Sequence, residues 1–523
     1  MALSISRGGI SPLSVDLRSL RTTAASPLQN VVKLALNSAT VNASGSATLR
    51  CTCMACSDTS AGTVQRAATT TTDYTDSIKR SGRKNVGALL AGGNRWFHSA
   101  GGSGEVPSAT SKKTLTFSFM ESAAGLGASD ASGFQALGST HRERVRDALD
   151  YLSSVIDVQF TEVGSGGDLS YGSNVQASSA GYARYPNEGS QIMMANNQSS
   201  FAGGWDEGSY GWQTLLHETA HALGLKHPGA YNAGGGTTPG PYLPGGADHR
   251  GNTIMSYNNA KNMTRVIYDN GAFTKNTINA DSFQGYDIEA LQYLYGASTT
   301  TSAKTYAFDD NPYMSRTLWN PSAGSSIDLS NQTGTNVLDL RAGKFSSIGV
   351  RDAYADMPYT QKAYAALKAG NGKSLVSLLG KPTYTGQNNL LVAAGSQFTV
   401  GKGGSGSDSL VANTVGGSVD GGAGNDSLYW SGGNLQATGG QGSDTLLLKK
   451  VSGAVWAVNA EGTQAVLTRT DSKTKAVTTL ATVQMSGIET VRYWNGNALK
   501  ATGATLYAAA ASPPAAAALS ASA

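Results

Sequence analysis

Cysteine is almost missing from this 523-residue chain: Cys51, Cys53 and Cys56 sit together in "CTCMAC", and residues 57 to 523 contain none. An odd trio at that spacing excludes an ordinary disulfide framework as the source of stability. Long apolar runs are missing too. No stretch approaches the roughly 20 apolar residues of a membrane span, and "MALSISRGGISPLSVDLRSL" lacks the apolar core of a conventional export signal. Charge is scarce, at 14% of residues with a net of +4, and no stripe of lysine and arginine forms, so the footprint of a nucleic-acid partner is absent. What is abundant is glycine, 65 residues, beside many serines, threonines and alanines, a mixture suited to turn-rich β structure. The length suits two to four domains.

Residues 1 to 70 show little periodicity and read as a leader or propeptide-like segment that can be removed. Beyond it, "NVGALLAGGNRW" starts as a turn of helix. "TLTFSFM" (Thr114 to Met120) alternates as a strand, and "HRERVRDALDYLSSVI" sets Val145, Leu149 and Leu152 at helical spacing. "DVQFTEV", "DLSYG" and "GYARYP" are further short strand candidates. From Asp281 to Gly296, Tyr286, Ile288, Leu291 and Leu294 line one face of a helix that ends on glycine. The expected architecture is an α+β catalytic unit over 71–297, a β-rich connection over 298–400, a repeat segment over 401–450, and a C-terminal flank over 451–523 with an Ala/Ser/Pro-rich tail.

Only six histidines occur in the chain, yet three fall within "HETAHALGLKHPG". On a helix, His217 and His221 lie one turn apart, about 6 Å along the axis, so both imidazoles can reach one ion. Glu218 projects about 100° away, suited to handling a water and not to ligation. Gly224 and Pro228 end the helix and turn the chain so that His227 can return to the same ion. Three neutral imidazoles with one open position form a catalytic zinc arrangement, whereas structural zinc is closed by four protein ligands. His98, His141 and His249 lack such spacing, and His141, at the charged start of a helix, reads as a solvated or capping residue.

The stretch resembles the long motif of the metzincin zinc peptidases, and "NTIMSYN" resembles their downstream methionine turn. By that resemblance Met255 forms an apolar floor, and Tyr257 matches the movable extra zinc ligand of the serralysin branch. The similarity to serralysins continues through "TLTFSF", "HPGAYNAG" and "DIEALQYLYGA", over roughly residues 74 to 450. It implies a metzincin-type catalytic domain, hydrolysis of peptide bonds by zinc-activated water with Glu218 as base, and Tyr257 as donor to the oxyanion. The substrate would lie along an edge strand at Gly181, Tyr182, Ala183 and Arg184. It also implies a secreted, extracellular monomer exported through type I secretion machinery by a C-terminal signal, although the tail lacks the family's apolar, acid-containing end. The family is typically acidic, and this chain is not. A thiolate from Cys51, Cys53 or Cys56 would be able to fill the open zinc position and hold a precursor latent; a separate metal-binding trio in the leader is the alternative.

Three repeats follow at a period of 18: "GGSGSDSLV" at 403, "GGAGNDSLY" at 421 and "GGQGSDTLL" at 439. Gly403, Gly404, Gly406, Gly421, Gly422, Gly424, Gly439, Gly440 and Gly442 let carbonyls curl inward. Asp408, Asp426 and Asp444 supply the carboxylates that calcium prefers. Leu410, Leu428 and Leu446 then begin strands of an RTX-type parallel β-roll holding about two calcium ions or more, with Asp426 shared. Two other functions fit the same residues: a non-enzymatic calcium-folded surface or adhesion protein with a degenerate peptidase domain, or a zinc amidase on cell-wall peptides. The intact Glu218 argues against the first, because a zinc scaffold has no need of it.

Overall fold

The computed structural model describes residues 83–92, 96, 113–186, 190–232, 236–298, 302–496, 499 and 501–509. The leader, the cysteine cluster, His98 and the end of the tail lie outside them.

The N-terminal half begins with helix α1 (Lys84–Leu89) and strand β1 (Lys113–Phe119). Helix α2 (Ser139–Val155) follows, burying Val145, Ala148, Leu149, Leu152 and Val155 and turning its arginines outward. Four strands come next: β2 (Val158–Glu162), β3 (Leu169–Asn174), β4 (Gly181–Ala183) and β5 (Ser190–Ala195). A single turn α3 (Ser199–Ala202) precedes the histidine helix α4 (Tyr210–Ala222), and α5 (Gly285–Tyr295) closes this half. The sheet order is β2-β1-β3-β5-β4; the first four run parallel, and β4 pairs antiparallel to β5 at the edge. Residues α2, α4 and α5 share one core with the sheet, built around Leu149, Leu215, Leu216, Ile288 and Leu291.

β5 has no counterpart among the strands expected from sequence. Its "SQIMMA" is nearly continuous in apolar residues, as suits a strand covered on both faces, and so shows no alternation to read. His141 also departs from its expected place. Its ring stacks on Phe201 at 4.4 Å and packs on Trp205 at 4.3 Å, with Nε2 3.0 Å from the Phe201 carbonyl, so it is a packing residue and not a solvated one.

The C-terminal half is mostly β. Strands Ser409–Val411, Ser427–Trp430 and Thr445–Lys449 pair parallel in strict register, Leu410 to Leu428 to Leu446, and the last pairs on to Thr490–Trp494. A second parallel stack runs through Phe398–Lys402, Gly416–Ala423, Asn434–Gln441 and Val477–Ser486. The leucines of one stack and Val419, Leu435 and Val483 of the other share a core. Arg316 ties this half to the first, reaching Asp281 at 2.9 Å and Glu207 at 2.7 Å.

A separate small unit holds Val266–Lys275 and Asp356–Lys381. Within it Tyr268, Phe273, Tyr359 and Tyr364 pack ring to ring, with centroids from 4.7 to 5.7 Å apart.

Leu149 is 1% exposed in the core beneath α2. Leu149→Ala is expected to cost about 2–5 kcal/mol of stability through lost burial and the cavity left behind, read as a lowered urea midpoint. A shift under about 0.5 kcal/mol, the scale of surface substitutions, would contradict this placement of α2.

Candidate metal centre

Helix α4 starts where the Ser209 hydroxyl accepts from the Trp212 N–H at 3.0 Å and thereby caps it. It stops in a Schellman turn: Gly224, at φ +95°, donates to the His221 carbonyl, and Leu225 donates to the Ala220 carbonyl. The carbonyls left over at this end are all met. Trp96 Nε1 donates to Ala222, the Tyr295 hydroxyl to Leu223, and the Ala91 N–H to Gly224. The chain therefore leaves the helix in a fixed direction and brings His227 back.

His217, His221 and His227 are fully or almost fully buried, and their ligand nitrogens all lie within 4.8 Å of one another, close enough to share one metal ion. Nε2 of His227 lies 3.2 Å from Nε2 of His217 and 3.1 Å from Nε2 of His221. The outer nitrogens are committed: His217 Nδ1 sits 2.8 Å from the Ile254 carbonyl and His221 Nδ1 sits 2.7 Å from the Leu225 carbonyl. A carbonyl can only accept, so both Nδ1 atoms carry the proton and both Nε2 atoms present lone pairs inward. Burial pushes the imidazolium form out of reach, lowering His221 to about 4 and His217 and His227 well below their ordinary value. The Nε2 lone pairs of His217 and His221 both face Nε2 of His227 at this range, a convergence that a single cation among them would satisfy. Neutral imidazole donors without thiolates suit zinc.

Glu218, on the same turn, is fully buried beside edge strand β4. A Cβ on Gly181 would come within 2.9 Å of Glu218 Cγ and 3.3 Å of Oε1, so glycine is what lets the carboxylate lie against the strand. Next to Gly181, Tyr182 donates to Asp130 at 2.7 Å and Arg184 pairs with the same carboxylate at 2.8 Å, which pins β4 from its far side. Ala183 is buried in the strand. Met255 is fully buried, in a turn whose preceding carbonyl, that of Ile254, receives His217. The Tyr257 ring lies 4.5 Å from that of His227 and 6.4 Å from that of His217.

Two positioning residues escaped the sequence reading. Lys226 is fully buried and donates to the carbonyls of Ala88, His227 and Pro241, binding α1 to the loop that carries the third histidine. Asp287 accepts from the Thr253 hydroxyl at 2.5 Å, the Ile254 N–H at 2.8 Å and the Gln284 N–H at 2.9 Å. It caps α5 and also holds Ile254, the residue whose carbonyl orients His217. Local sequence reads Asp287 at most as a helix cap and Lys226 as surface, because the Ala88 and Pro241 carbonyls and the Thr253 and Ile254 donors come to them only through the fold.

Residues 134–267, which include the three histidines, Met255 and Tyr257, match the Reprolysin_5 model of metallo-peptidase family M12. The chain is similar to the metallopeptidase AprA of Pseudomonas marginalis, at 32% identity over 265 residues, covering 46% of this chain and 54% of that protein. It is similar to the serralysin of Proteus mirabilis at 32% over 244 residues, covering 40% and 48%. It thus spans about half the length of the curated relatives it matches. A solved structure of myroilysin aligns at a TM-score of 0.22 and 11% identity over 40% of this chain and 84% of that one, too slight a likeness to bear on the fold. The domain around the three histidines is a serralysin-like, metzincin-type zinc metallopeptidase domain.

Burial pushes the Asp287 carboxyl up to about 7, against the hydrogen bonds that favour its ionised form. A carboxyl raised in the fold stabilises most below its unfolded value of 3.8 and loses that contribution as pH rises through about 7. Asn at 287 has no such proton to lose. The stability of the parent relative to Asp287→Asn should therefore fall between about pH 4 and 7 in chemical denaturation. A flat difference over that window would show a carboxylate ionised throughout.

Proposed function

We propose that this chain is an endopeptidase that hydrolyses protein backbones with metal-activated water, and that its repeat segment folds around calcium. The observation that carries the first part is the convergence of three inward-facing imidazole nitrogens, with the carboxylate of Glu218 buried on the same helical turn. Zinc held by His217, His221 and His227 supplies Lewis acidity toward water and a scissile carbonyl. Glu218 takes the proton from the attacking water and returns it to the leaving amine. The Tyr257 phenol, beside His227, donates to the oxyanion as it develops. The edge strand β4 accepts an extended substrate by strand addition, a mode that reads backbone more than side chains and so favours broad specificity.

Calcium is supported by a ladder of carboxylates. The Asp408 N–H donates to Asp426 Oδ1 at 2.7 Å, the Asp426 N–H to Asp444 Oδ1 at 2.8 Å, and the Asp444 N–H to Glu489 at 2.7 Å. The second oxygens of Asp426 and Asp444 are buried without a hydrogen-bond partner. Gly421 and Gly439 make room for them, since a Cβ at either position would collide with the carboxylate of its own repeat. Buried orphan carboxylate oxygens at an 18-residue spacing suit a hard cation, and about two ions fit this arrangement. Among the described residues no helix is long and apolar enough to cross a membrane. Calcium-dependent folding suits a protein exported unfolded that gains structure at extracellular calcium levels, with secretion machinery as its partner.

Casein digestion that stops on zinc chelation is the expected result; cleavage only of cell-wall peptides would favour the amidase reading. Glu218→Ala should retain one zinc per chain by metal analysis and lose proteolysis, by about 10²-fold or more, the scale of a general base. Full activity in that variant would sink the assigned role. Calcium at about 10 mM, beyond the weak end of extracellular module affinities, should raise the melting temperature of the full chain relative to a calcium-selective chelator. Asp426→Asn should blunt that rise.

A further inference from the structure

Tyr231, four residues beyond the third histidine, belongs to no part of the chemistry assigned so far. Its ring stacks on that of Tyr257, with centroids 4.8 Å apart and planes 26° from parallel, and lies 5.9 Å from that of His227. Its hydroxyl accepts from the Tyr257 backbone N–H at 3.3 Å and donates to Asp248 Oδ1 at 2.7 Å. The same Asp248 oxygen accepts from the Ser256 hydroxyl at 2.6 Å, and Ser256 in turn accepts from the Asn258 N–H at 3.1 Å. The residues on both sides of Tyr257 are therefore tied to one buried carboxylate. Gly229 completes the arrangement, because a Cβ there would run into the Tyr231 ring and approach Asp248 Oδ2 at 2.8 Å. The Tyr231 hydroxyl is thus anchored by a charge-assisted hydrogen bond to Asp248.

We infer that Tyr231, clamped by Asp248, is a positioning residue for Tyr257: it forms the shelf against which the Tyr257 ring is held in the plane that serves the metal centre. The inference rests on the role given to Tyr257. Tyr257 must take up two positions, toward the metal and toward an oxyanion, and a ring that moves in a plane is guided best by a flat neighbour that cannot itself move. Stacking supplies the flat face, and the hydrogen bonds to Asp248 and the Tyr257 N–H remove the freedom of that face to tilt.

The test is a double-mutant cycle on the zinc-loaded full chain. Tyr231→Phe keeps the ring and removes the hydroxyl. It should lower kcat by about tenfold, equivalent to about 1.4 kcal/mol, with KM nearly unchanged. In a Tyr257→Phe background the same change should cost nothing further, because the group it positions is already gone. Asp248→Asn, which leaves Tyr231 in place with a weaker acceptor, should fall between the two.

A readout independent of turnover comes from the copper(II)-loaded protein. The visible phenolate-to-copper band should be present in the parent, absent in Tyr257→Phe, and weakened or shifted in Tyr231→Phe. If Tyr257→Phe leaves both kcat and the band unchanged, the assignment of Tyr257 fails and this inference with it. If Tyr257→Phe has its expected effects but Tyr231→Phe costs the same in both backgrounds, or leaves the band unaltered, Tyr231 is a packing residue only. The reading of Tyr257 then stands and the inference is overturned.

Discussion

Three buried imidazole nitrogens converge, Nε2 of His227 lying within 3.2 Å of Nε2 of both His217 and His221, and the rest of the catalytic half exists to hold them there. Each histidine is held from behind. The Ile254 carbonyl fixes His217, and the Leu225 carbonyl fixes His221 from within the turn that ends the helix. The backbone of His227 is gripped through its carbonyl by the Lys226 ammonium, which also holds α1. Such preorganisation places its cost in the folding of the domain, so that a cation arriving at the site meets ligands already oriented. The same supports explain why the site is spread over distant segments. α1, the helix stop and the turn at Met255 each contribute a backbone carbonyl, and the start of α5 contributes the Asp287 carboxylate.

The histidine spacing made this centre legible in the sequence because it is a local property: one helical turn, a glycine, and a reversal. The Schellman turn at Gly224 is of the same kind, encoded by a residue that accepts a positive φ. Asp287 and Lys226 were not legible. An aspartate three residues into a helix reads as a cap, and a lysine between a leucine and a histidine reads as surface; only the fold brings the Ile254 peptide to one and three carbonyls to the other. β5 was invisible for a different reason, since burial on both faces erases the alternation that marks a half-exposed strand. His141 misled because charged neighbours along α2 concealed that its own face meets Phe201 and Trp205.

The repeat segment shows where periodicity stops being a guide. Three loops at intervals of 18 were plain, but the ladder of backbone-to-carboxylate bonds runs further at each end, to Asn336 and to Glu489. Neither belongs to a recognisable glycine-aspartate motif. Asn336 lies 72 residues before Asp408 and Glu489 lies 45 after Asp444, with other structure inserted between the coils. Stacking in space preserves register across such insertions, and a linear period does not.

The two ends also differ in what they offer, and that decides where a cation is needed. Asp408 receives the Asn336 N–H and side-chain amide on Oδ1 and the Gly404 N–H on Oδ2, so protein donors meet both of its oxygens. Asp426 and Asp444 each receive one backbone donor on Oδ1 and none on Oδ2. Burial pushes Asp426 up to about 6, and the neighbouring charges of Asp408 and Asp444 add to that push. An uncompensated buried carboxylate costs more than the 1–3 kcal/mol of a neutral unsatisfied group. The unmet demand therefore sits at the second and third repeats, and the amide at 336 closes the ladder at the end where no further charge requires neutralising. On the calcium reading, the ions belong beside Asp426 and Asp444, and the first repeat serves as a cap as much as a ligand.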